Sequence, residues 1–135
     1  MIALDTNVLV RFLVDDEPKQ ADVANGLVNH PAGVFVSKTT LLELEWVLRQ
    51  VYKIESKVVG AGLLSLFGMA NVTVECADQV AQAMNDFAAG MDFADALHLA
   101  SAPQGVKLHT FDQKFAKLGR KRGVALAGGR SPVGH

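Results

Sequence analysis

A chain of 135 residues, half of them hydrophobic and a fifth charged, has the length and composition of one globular domain. Its single cysteine, Cys76, rules out an internal disulfide and fits a reducing cytoplasm, and its apolar runs fall far short of the ~20 residues of a membrane span. The net charge of −1 is unevenly spread: from Gln113 onward come Lys114, Lys117, Arg120, Lys121, Arg122 and Arg130 with no acid, which leaves −7 on the residues before.

Ile2–Leu4 reads as a short, wholly apolar strand, of the kind buried on both faces of a parallel sheet. No basic leader precedes it, and Asp5 interrupts it, so no signal peptide is expected. A helix is expected over Val8–Val14. Pro18 marks the start of a weakly amphipathic helix over 18–30. "GVFVS" is a second strand. "TTLLELEWVLRQVY" gives the clearest helix, with Leu41, Leu44, Leu48 and Val51 on one stripe. "SKVVGAGLLSLFGM" is a helix loosened by glycines, "VTVE" a third strand, and 77–89 a further helix. "DFADALHLASA" is a helix stopped by Pro103 and Gly105. "VKLHT" and "VALA" are a fourth and fifth strand on either side of the short helix "DQKFAKL". The alternation predicts an α/β domain over 1–127, with a five-stranded parallel sheet and helices on both faces. "GGRSPVGH", 128–135, reads as a flexible tail.

In parallel sheets ligands bind beyond the carboxyl ends of the strands. Asp5 lies at one such end, and Asp112 follows the fourth strand by two residues. Each acid also has a plain structural reading. Asp5, Asp92 and Asp112 can cap helices, and Asp92 with Asp95 forms an acidic variant of a capping box. Glu45 has Arg49 four residues on, the favourable order for a surface ion pair. Glu43 has no such partner and flanks the apolar stripe, where an uncompensated charge is costly. Asp95 is followed by Ala96, Leu97, Leu99 and Ala100, at the point where its helix enters the core.

Taken together, these acids point to a cation. Two carboxylates about 4 Å apart repel by roughly 4 kcal/mol at an effective dielectric near 20. Several in one pocket would cancel the ~5–15 kcal/mol that holds a domain folded. A divalent ion removes the penalty. Oxygen donors without Cys or His pairs at zinc spacing favour Mg²⁺ or Mn²⁺. His98 and His109 are expected to pack rather than ligate, and Cys76 to serve as a small apolar filler. Leu42, Trp46 and Arg49 lie opposite the core stripe of their helix, an apolar patch suited to an interface.

"LDTNVLVRFL", "LLELEWVLR", "DFADALHLA" and "TFDQKF", in that order, resemble the motifs of PIN domains, and among these the VapC-type toxins of type II toxin–antitoxin pairs. The resemblance runs over nearly the whole chain. It implies a PIN-like fold and a Mg²⁺- or Mn²⁺-dependent endoribonuclease. Its acidic set falls on Asp5, Glu43, Asp95 and Asp112, with Asp5, Asp95 and Asp112 as metal ligands. Thr6, Asn7, Asp92 and Thr110 are the supporting positions. Arg11, Lys114, Lys117, Arg120, Lys121 and Arg122 are the expected RNA contacts. The resemblance also implies a cytoplasmic homodimer held in check by a cognate antitoxin. Two other readings stay open: a PIN-type nuclease of RNA processing, and a catalytically silent module that binds nucleic acid or protein. A phospho-acceptor receiver domain is disfavoured, because "VTVE" closes without an acceptor aspartate and "VALA" without a lysine.

Overall fold

The computed structural model describes residues 1–124 and 126. The expected tail, 128–135, lies outside the described residues, as does part of "VALA". Three short strands pair in parallel in the order β1 (Ile2–Ala3), β2 (Val34–Val36), β3 (Val72–Val74). Ile2 stands opposite Val34, which stands opposite Val72. Val34 and Val36, on one face of the strand, are wholly buried, and Phe35 on the other face is half-buried.

Helices α1 (Thr6–Val14) and α2 (Pro18–Val28) connect β1 to β2. Helix α3 (Lys38–Trp46), a π-helical turn (Val47–Val51) and α4 (Ser56–Phe67) connect β2 to β3. Helices α5 (Ala77–Ala88), α6 (Phe93–Ser101) and α7 (Gln113–Lys121) follow. The starts of four helices are set by side chains. Asp5, Ser37, Asp92 and Asp112 each accept a hydrogen bond from a backbone N–H of the first turn, which satisfies a donor that the helix cannot. Leu9, Leu41, Leu44, Leu63, Leu66 and Phe93 fill the core between these helices and the sheet. Phe87 meets Phe93 edge-on, with ring centroids 5.4 Å apart.

Among the described residues the sheet has three parallel strands, and the segments expected as fourth and fifth strands meet at a parallel bridge, Leu108 to Leu126; Ala125 and Ala127 of the fifth lie outside the described residues. Three expectations are corrected. Val51 leaves the core stripe and is 60% exposed, while Leu41, Leu44 and Leu48 are buried. The π turn inserts extra residues per turn, so positions beyond Leu48 lose the phase of α3. Glu45 is 2% exposed, not a surface residue. It stands four residues after Leu41 and three before Leu48, inside the stripe, and it keeps the expected ion pair with Arg49 at 2.6 Å. Cys76 is exposed, in a left-handed conformation at the start of α5, and fills no core space.

Helix α7 packs through Phe115, Ala116 and Gly119 and turns its basic residues outward. A methyl group on Gly119 would sit 3.0 Å from the Leu126 side chain and 3.1 Å from that of Leu99. Gly119→Ala gains about 1 kcal/mol of helix propensity against about 1–3 kcal/mol of overpacking. A net loss of about 1 kcal/mol is expected in urea denaturation, and an unchanged midpoint would show that the leucines yield freely.

Candidate active site

The carboxyl edge of the sheet carries the first acids. Asp5 follows β1, Ser37 follows β2 and Glu75 follows β3, and the parallel register sets these positions side by side. Asp5 accepts from the Thr6 backbone N–H at 2.8 Å. Thr6 is buried, and its hydroxyl donates to the Glu43 carboxylate across the gap between α1 and α3. Glu43 therefore has the partner that its own helix lacks, and it is exposed rather than held at a core edge. Glu75, an acid that motif and spacing did not single out, accepts from the Lys38 backbone N–H at 2.8 Å. Its position after "VTV" was the available signal. The bond to Lys38 makes its role structural.

The second group of acids lies at the starts of α6 and α7. Asp92 accepts from the Asp95 N–H at 3.2 Å, which realises the acidic capping pattern. Asp112 accepts from the Phe115 N–H at 3.0 Å, and the Thr110 hydroxyl oxygen accepts from the Asp112 N–H at 3.0 Å. Asp95 is half-buried between them. Burial first, and then the charges of Asp92 and Asp112, hold its carboxyl above the usual carboxylate range, against the pull of His98 and Lys114. Three acids from α6 and α7 thus share one electrostatic neighbourhood. Glu43 and Asp92 line a single cleft of about 600 Å³ between α3 and α6, which places the two groups along one surface.

Among the described residues no three acid, histidine or cysteine side chains converge closely enough to hold a metal ion. Mg²⁺ does not require such a cage, since it takes one or two carboxylates and keeps several waters. The donors here are all carboxylate oxygens, and the charges of Asp92 and Asp112 add to burial in raising the Asp95 pKa. In donor chemistry and charge the residues fit a hard divalent ion.

The other expected contacts divide. Lys114, Lys117 and Lys121 are exposed along α7, and Lys114 is within electrostatic reach of Asp95. Arg120 lies on the same helix, also exposed. Arg122 is engaged with the buried carboxylate of Asp86 at 2.8 Å. Arg11 is held by Asp16 at 3.0 Å and by the Tyr52 hydroxyl at 3.2 Å. Asn7 lines a separate apolar groove between α1 and α2. His98 stacks on Phe115, with ring centroids 5.5 Å apart, in the packing role expected of it. His98 and His109 are both exposed. Leu42 and Trp46 are exposed as expected, but Arg49 turns back to Glu45.

No helix among the described residues is long and apolar enough to cross a membrane. Comparison with curated proteins finds no match. Among solved structures the chain is similar to the crystal structure of VapC20 from Mycobacterium tuberculosis, described as a sarcin-ricin loop cleaving toxin. The two are 20% identical, with 88% of this chain and 95% of that chain covered, at a TM-score of 0.44. A family model, PIN domain, matches residues 2–121. That span contains β1 to α7 and every acid described above, and the chain belongs to the PIN-domain family.

Proposed function

We propose that this protein is a metal-dependent endoribonuclease and the toxin of a type II toxin–antitoxin pair. The observation that carries the reading is the placement of Asp92, Asp95 and Asp112 at the starts of α6 and α7, with Glu43 and Asp92 lining one cleft; burial first, and then the charges of Asp92 and Asp112, raise the Asp95 pKa there. Asp5 and Asp95 would hold a Mg²⁺ or Mn²⁺ ion, with Asp112 directly or through water. A bound divalent ion supplies Lewis acidity, neutralising charge on the phosphodiester and making water a better nucleophile. Glu43, anchored by the Thr6 hydroxyl, takes the proton from the attacking water. Lys114, Lys117 and Lys121 bind flanking phosphates, with Arg120 beside them, so binding weakens steeply with salt. Arg11 and Arg122 contribute less, because their guanidinium groups already serve Asp16 and Asp86. Asp92, with Thr6 and Thr110, supports the acids rather than reacting, whereas Asn7 lines the separate groove. The toxin role rests on the order of the four motifs, as do a cognate antitoxin, a homodimer and a cytoplasmic location.

One observation favours a silent binding module instead: Asp5, Asp92 and Asp112 all cap helices, a sufficient use for each. Cleavage of total cellular RNA by the purified protein decides between them. Discrete fragments are expected with Mg²⁺ or Mn²⁺, none with EDTA, and none with Asp5→Ala. Equal cutting by mutant and wild type would mark a contaminating nuclease. No cutting by folded, antitoxin-free protein under either metal would favour the silent module.

A further inference from the structure

Phe111 is the most exposed large apolar side chain among the described residues, at 83%. Single exposed hydrophobes are ordinary, but this one sits between Thr110 and Asp112, two residues of the site. Burial alternates along the segment that carries it. Leu108 and Thr110 are half-buried, while Lys107, His109 and Phe111 are exposed. That is the pattern of an extended segment with one face outward. The backbone on both sides of Phe111 is tied. Leu108 bridges to Leu126, the Asp112 N–H donates to the Thr110 hydroxyl oxygen at 3.0 Å, and the Phe115 N–H donates to the Asp112 carboxylate at 3.0 Å. An ammonium, an imidazole and a phenyl ring therefore follow one another at exposed positions, and the chain bends at Phe111, directly before an acid of the site. Lys114 stands on the far side of that acid.

The geometry points to Phe111 as a stacking platform for an unpaired base of the RNA, beside the phosphodiester that is cut. This inference rests on the nuclease reading above and adds a base-binding residue outside the four motif acids. Unstacked bases lie flat on aromatic side chains whatever their sequence, while neighbouring cations hold the phosphates. A ring with exposed lysines four residues before it and three after it in the chain, Lys107 and Lys114, is suited to that polyanion. The cores of protein–protein interfaces, by contrast, are depleted in lysine. Bases inside a double helix have no free face to offer, so duplex RNA is a poorer ligand.

The test is binding of a short single-stranded RNA carrying 2-aminopurine, in EDTA to prevent cleavage, read by fluorescence quenching and by affinity. Wild type is expected to quench the probe. Phe111→Ala is expected to lose the quench and about 5- to 100-fold in affinity, with an unchanged circular dichroism spectrum. Phe111→Trp is expected to restore both. Lys114→Ala is expected to keep the quench and to lower the salt dependence of binding by about one ion. Val106→Ala, which trims another exposed apolar side chain of the segment, is expected to change neither. If wild type cleaves RNA while Phe111→Ala binds and quenches as wild type does, the platform is overturned and the nuclease reading stands. If wild type neither binds nor cleaves single-stranded RNA, both fall. If Phe111→Ala turns a dimer into a monomer in sedimentation and leaves RNA affinity intact, the ring belongs to a protein contact and the platform is overturned.

Discussion

Asp95→Asn is expected to lower the rate of RNA cleavage by about 10²–10³-fold, the scale of removing one preorganised electrostatic group, and at the same time to raise the melting temperature of the metal-free protein. The two effects have one cause. Burial and the charges of Asp92 and Asp112 raise the Asp95 pKa in the folded protein. Between its unfolded and folded pKa the native state then binds more protons than the unfolded chain. Stability therefore falls as pH rises through that interval, and the full penalty applies above it, at neutral pH. Asparagine has the same shape and no charge, so it removes the penalty. It also removes a ligand. Mg²⁺ should raise the melting temperature of the wild type, as any ligand of the native state does, and should do so much less for Asp95→Asn. A variant that is inactive yet no more stable at neutral pH than wild type would mean that the acids are not crowded in solution.

Arg49→Ala is expected to be the most destabilising single change outside the apolar core. Glu45 is 2% exposed, and Arg49 reaches both of its carboxylate oxygens, at 2.6 and 3.4 Å. The pair also raises the Arg49 pKa, chiefly through that hydrogen bond, so the guanidinium stays charged. Removing one partner leaves an uncompensated buried charge, which costs about 3–5 kcal/mol. That is a large part of a domain stability of about 5–15 kcal/mol. A fall of about 10–20 °C in melting temperature follows for a chain of this size. Replacing both residues, Glu45→Met with Arg49→Leu, should be close to neutral, since the desolvation penalty and its compensation leave together. A single mutant within about 1 kcal/mol of wild type in urea denaturation would show that Glu45 reaches water when Arg49 is lost, because exposed pairs contribute little.

Much of this arrangement was legible in the residues, and what was not has physical reasons. The helix starts were readable because capping is local: Asp5, Asp92 and Asp112 were expected as caps and act as caps. The same success leaves the acids with two uses, which composition and spacing alone cannot separate. Glu43 and Glu45 were read in the wrong order of exposure. A favourable i,i+4 partner made Glu45 look like a surface residue, although its phase relative to Leu41 and Leu48 already placed it in the stripe. Val51 was misplaced because a π turn breaks the helical period, and nothing in "VLRQV" announces one. The left-handed backbone at Cys76 is likewise silent in a single sequence. Strand pairing is non-local, so apolar runs at 106–110 and 124–127 say little about how they pair; among the described residues Leu108 bridges to Leu126. The identity of the site acids came from strand ends and motifs. Their mutual placement depends on how α3, α6 and α7 pack, which only the folded chain reveals.

The central claim is that these acids assemble around a divalent ion. Titration of Mn²⁺ into the purified protein, followed by the loss of the free-ion paramagnetic resonance signal, tests it without reference to any substrate. Saturable binding by the wild type, competed by Mg²⁺ and lost in both Asp5→Ala and Asp95→Asn, is the expected result. Equal binding by wild type and the two variants, or no binding by folded wild type, would contradict it and leave the carboxylates as helix caps.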